Sequence, residues 1–127
     1  MRLVYLSEQF YSEYGHCPEI LKKPLRPYAC VAVQVNEHFF AVPFRHHIAH
    51  KYAFFTYGTC GLDYTKAVLL LKESYVDTRK PQIEQREFNA LKGKDTRIAR
   101  EFSRYLKLYC KAAQNRESPP LPEYYPL

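Results

Sequence analysis

From Pro43 the chain runs Pro43-Phe44-Arg45-His46-His47-Ile48-Ala49-His50-Lys51-Tyr52, with three of its five histidines within five positions, between an arginine and a lysine. Imidazole can take or give a proton near neutral pH, and guanidinium and ammonium groups stabilise phosphate charge. Cleaving RNA without a metal needs a base for the ribose 2′-hydroxyl, an acid for the leaving oxygen and a cation over the phosphorane. His46 and His50 are the acid–base candidates, and Arg45 can grip a phosphate with two parallel bonds. Lys66 joins them if its segment lies beside the strand that feeds this loop. His47, Lys51, Tyr52 and Tyr64 are expected around the substrate, the tyrosines either as stacking surfaces for unpaired bases or as core residues at strand ends. The plain alternative is a surface loop that happens to be rich in histidine.

Other chemistries fit the residues less well. His46 and His50 are four apart and would share a helix face as metal ligands, but no HExxH signature is present and the flanking segments read as strands. No metal and no cofactor is therefore expected. Four glycines could hardly build a phosphate-cradling loop. Cys17, Cys30, Cys60 and Cys110 are scattered without a CxxC pair, which suits reduced thiols in a cytoplasmic protein. Asp63 can orient a histidine or form a turn, and Phe44 and Ile48 read as pegs that hold the loop on the core.

Composition bounds the partner. At 127 residues the chain makes one domain, burying roughly two-thirds of its unfolded surface. Nineteen Lys and Arg against thirteen Asp and Glu leave a net charge of +6, which favours a polyanion. Twelve Tyr and eight Phe interleave with that charge, a mixture better matched to single-stranded RNA than to duplex DNA. The first residues do not read as a signal peptide, and Ala67–Leu71 is too short to span a bilayer, so no membrane partner is expected.

The elements that must position the loop are legible in outline. Leu3 to Leu6 reads as a strand, and Ser7 can cap a short helix through Tyr14 that Gly15 stops. Cys17 to Pro27, with three prolines, reads as an ordered connection. Tyr28–Val35 and Phe39–Val42 form a hairpin around Asn36-Glu37-His38. Tyr52–Tyr57 is a further strand ended by Gly58 and Gly61, and the apolar run Lys66–Leu71 a central one. Pro81 suits the first turn of a helix over Gln82–Lys92 with Gly93 as its stop. Asp95 caps a longer helix to about Ala113, with Ile98, Phe102, Tyr105, Leu106 and Tyr109 on one face. Residues 1–114 thus form one α+β domain, a compact, strongly bent antiparallel sheet or half-barrel with C-terminal helices packed beside it. Residues 115–127 form a Pro/Tyr-rich tail.

This order of motifs resembles the toxins of type III toxin–antitoxin systems (the ToxN, AbiQ and TenpN groups), with the TenpN branch most similar. The resemblance rests on Pro43-Phe44-Arg45, then Ile48, His50 and Tyr52-Ala53-Phe54, then Gly61-Leu62-Asp63-Tyr64-Thr65-Lys66-Ala67, and extends from Arg2 to about Lys111. It implies a metal-independent endoribonuclease on a compact antiparallel barrel. A repeat-derived antitoxin RNA, folded as a pseudoknot, would inhibit it within a higher-order protein–RNA assembly. Cellular RNA would be the substrate of the released toxin, and growth arrest or abortion of phage infection the result. The ToxN branch carries a Thr-Ser-x-Lys run where this chain has Arg45-His46-His47-Ile48, so the catalytic roles of that branch do not transfer by position. A non-catalytic RNA-binding module using the same surface is the alternative.

Overall fold

The computed structural model describes residues 2–14 and 29–114; the Cys17–Pro27 connection, the stop at Gly15 and the 115–127 tail lie outside the described residues. In chain order the elements are β1 (Arg2–Tyr5), α1 (Glu8–Tyr14), β2 (Ala29–Val35), β3 (His38–Arg45), β4 (Ala53–Tyr57), β5 (Cys60–Asp63), β6 (Val68–Leu69), α2 (Gln85–Leu91) and α3 (Asp95–Gln114). They make an α+β fold, a six-stranded antiparallel sheet with helices on its faces.

Strand order is β1-β2-β3-β5-β4, with β6 also on β3. The axis of the sheet is β3. Its first edge pairs with β2 from Val35↔His38 to Cys30↔Pro43. Its other edge takes β6 at Phe40 and Ala41, then β5 at Phe44 and Arg45. The expected half-barrel is not formed: the sheet is neither closed nor strongly curled. Closure would require β1 and β4 to meet in a staggered register. Instead the edge at β1 is finished locally, by the Leu6↔Val76 bridge and the bond from Asp77 N–H to the Tyr5 carbonyl at 2.9 Å.

Because strand side chains alternate, β2 and β3 feed two cores. On one face Val31, Val33, Phe40, Val42, Phe54 and Leu62 pack against Leu91 of α2 and Ile98, Phe102 and Tyr105 of α3. On the other, Val4, Cys30, Ala41 and Val68 pack against Phe10 of α1 and Tyr75. Burying each such apolar side chain stabilises by about 1.5–3 kcal/mol, which holds β3 rigid from both sides. Ser7 caps α1 as expected, its hydroxyl accepting from Phe10 N–H at 3.3 Å.

Three elements differ from the sequence reading. Residues Cys60 to Asp63 form a strand, not a turn after β4. The Lys66–Leu71 run contributes only two strand residues, Val68 and Leu69, because a 3-10 turn occupies Tyr64–Lys66. Helix α2 begins at Gln85, after Pro81 rather than around it.

Candidate functional site at the rim of the sheet

Arg45 ends β3, and its register partner is Gly61 of β5. Asp63 lies two residues further along β5 and therefore projects from the same face as Arg45. The two side chains meet: Arg45 Nη1 donates to Asp63 Oδ2 at 3.1 Å. The pairing requires a glycine at 61, since a Cβ there would run into the Phe54 carbonyl of β4.

Asp63 is fully buried and collects donors from three directions. Thr65 gives its backbone N–H to Oδ1 at 2.9 Å and its hydroxyl at 2.5 Å. His50 Nε2 lies 3.1 Å from the same oxygen. The other His50 nitrogen, Nδ1, accepts the Tyr52 backbone N–H at 3.0 Å, which places the ring proton on Nε2, facing the carboxylate. Both ring nitrogens of His50 are thus engaged in holding Asp63 and the loop, and Asp63 both forms a turn and orients a histidine. The signal for Thr65 was the Asp-x-Thr spacing, in which the carboxylate accepts from the backbone two residues on.

The loop between β3 and β4 is anchored at both ends. Ile48 is buried, and its N–H donates to the Thr59 carbonyl at 3.0 Å. His46 and His47 are exposed, and His47 has a left-handed backbone with φ of 57°. The chain leaves β3 after Arg45, and the side chains of Arg45 and His46 take different partners. Arg45 goes to Asp63, and His46 Nδ1 lies 3.0 Å from Cys60 Sγ. The structure therefore joins Arg45 and His50 through Asp63, and sets His46 apart from them with Cys60.

The remaining candidates divide by burial. Lys66 closes the 3-10 turn after Asp63 and is half-buried. Lys51 is exposed, with Nζ 5.4 Å from the Tyr52 ring centroid. Tyr52 also packs against Tyr105, centroids 5.9 Å apart. Tyr64 is only 2% exposed, its ring against Phe102 and its hydroxyl donating to Glu101 at 2.9 Å. Burial, then the Glu101 charge, push the Tyr64 phenol above its ordinary value. Tyr64 therefore offers no open ring face to a base.

Beside β4 runs a groove whose other wall is α3, lined by Lys51, Tyr52, Phe55, Arg97, Arg104 and Leu108. Arg97 lies over the Phe54 ring at 5.1 Å, so cations and aromatic faces alternate along it. Among the described residues no three His, Cys, Asp or Glu side chains converge as a metal site, and no helix is long and apolar enough to cross a membrane. No family model, curated protein or solved structure matches the chain.

Proposed function

We propose that the protein is a metal-independent endoribonuclease toxin of the type III kind, cutting cellular RNA by attack of the 2′-hydroxyl. A small repeat-derived RNA holds it in check in a cytoplasmic protein–RNA assembly. The observation that carries this reading is Arg45, a guanidinium fixed at the lip of a rigid strand by a buried carboxylate and followed in the chain by two exposed histidines. Asp63 takes one arm of the fork and leaves the rest of its N–H edge for phosphate oxygens. Arg45 then stabilises the phosphorane. His46, with Nδ1 toward Cys60, turns Nε2 to solvent as the proton-transfer group. His50 acts through Asp63 as a positioning residue, since neither of its nitrogens faces outward for proton exchange. The net charge and the basic, aromatic groove beside β4 support a single-stranded polyanion as the ligand.

The same groove favours a second reading, a non-catalytic RNA-binding module, because the groove requires no proton transfer at all. One experiment separates the two. Purified protein is mixed with RNA carrying either ribose or 2′-deoxyribose at each cut position, with EDTA present. The toxin reading expects cleavage of the ribose substrate alone, a cyclic phosphate end and growth arrest when the chain is expressed without its RNA. Tight binding with intact RNA would establish the binding module instead, and cleavage abolished by EDTA and restored by a divalent ion would overturn the mechanism.

A further inference from the structure

On the face of the rim opposite Asp63, a thiol of β5 lies beside the first residue after β3 and its strand partner on β4. Cys60 begins β5, and its Sγ lies 3.0 Å from His46 Nδ1 at the end of β3. Tyr57 of β4 is its register partner, and its hydroxyl donates to Glu84 Oε1 at 3.4 Å. A register shift between Phe55 and Tyr57 brings the phenol to that side. Helix α2 closes the cluster. Arg86 stacks its guanidinium 3.5 Å from the Tyr57 ring centroid.

His46 thus places a base within reach of the Cys60 proton, the requirement for activating a sulfur nucleophile. The other thiols provide the contrast. Cys30 is sealed in the core, where burial pushes it up to about 12. Cys110 stands exposed on α3. Only half-buried, Cys60 is open to a small reagent.

We infer that Cys60 is a modification site for low-molecular-weight disulfides, and that the mixed disulfide switches off the rim beside it. His46 takes the thiol proton, and Sγ attacks one sulfur of the incoming disulfide. That S–S bond breaks as the Cys60–S–S–R bond forms. The departing thiolate leaves with the proton that His46 had taken. One thiol is oxidised as half of the reagent is reduced, so no other oxidant is involved. The modified sulfur no longer holds His46, and the added group crowds the imidazole beside it. The switching half rests on the ribonuclease reading; the modification itself does not.

Full-length protein carrying Cys17→Ser and Cys110→Ser is treated with glutathione disulfide and followed by intact mass, with aromatic disulfide reagent used for rates. One adduct is expected on the folded protein, absent in Cys60→Ser. His46→Gln and His46→Ala should each slow the reaction by about tenfold. A companion protein that keeps Cys110 but carries Cys17→Ser and Cys60→Ser should react more slowly than Cys60 does. Equal rates at Cys60 and Cys110, or unchanged rates in both His46 variants, would overturn the site. Fully modified wild-type protein should lose RNA cleavage and regain it with dithiothreitol, whereas undiminished cleavage would overturn the switch. If the unmodified protein cuts no RNA, the ribonuclease reading fails, and the thiol rates still decide the modification site.

Discussion

Arg45 and Asp63 meet at 3.1 Å across the β3–β5 pairing, with the carboxylate side chain 1% exposed and the guanidinium side chain 32% exposed. This asymmetry sets their roles. The buried partner fixes the geometry, and the part-exposed one keeps an edge open to solvent. A carboxylate in that position is tolerated because Thr65 and His50 also satisfy it.

Removing Asp63 therefore strips four donor groups, on Arg45, Thr65 and His50, of their acceptor. Asp63→Ala is expected to lower stability by about 3 kcal/mol, the usual scale for breaking a buried charge network. Asp63→Asn should cost less, because its amide oxygen can still accept from the Thr65 N–H. Urea unfolding of both variants measures the difference. Equal and small losses would show that the network contributes little.

Cleavage and stability should separate between the two histidines. His46→Ala is expected to slow single-turnover cleavage by roughly two to four orders of magnitude with little change in melting temperature, since the side chain is exposed. His50→Ala should lower the melting temperature and the cleavage rate together, because it releases Asp63 and the Tyr52 N–H at once. Arg45→Lys keeps the charge but loses the planar fork, and should cleave poorly while still binding RNA. Near-normal cleavage by His46→Ala would remove that residue from the chemistry.

Gly61 has no room for a side chain between β3 and β4. Gly61→Ala is expected to destabilise by about 2–3 kcal/mol, as the β4 carbonyl of Phe54 must move. Thermal melts should report it. A melting temperature unchanged from wild type would mean that the β4–β5 pairing is looser than its register implies.

Glu87 is 7% exposed on α2, and burial, then the Glu84 charge, hold its carboxyl above the ordinary glutamate range. A raised folded value means that the native state binds the proton more tightly than the unfolded chain. Its contribution to stability is thus fully present below the ordinary glutamate pKa and is lost as pH rises through the raised value. Glu87→Gln should consequently be more stable than wild type at neutral pH, and the advantage should shrink as the solution is made acidic. Denaturation at a series of pH values checks the sign. An advantage that grows toward acid would reverse the assignment.

The sequence by itself determined the elements whose signals are local. The period of Ile98, Phe102 and Tyr105 marks the buried face of α3, Ser7 marks the start of α1, and the alternation around Asn36 marks the β2–β3 hairpin. It also singled out Arg45 and the histidine loop as candidates, from residue type alone. Only the tertiary structure decided how those residues group. Gly61 reads locally as a breaker, yet its missing side chain lets β5 fit between β3 and β4, and that placement delivers Asp63 to Arg45 and His50. Past the end of β3 the chain turns, and His46 meets Cys60 instead. The physical reason is range. Capping, turns and periodicity act within a few residues, whereas strand order and register are set by which distant surfaces can be buried together.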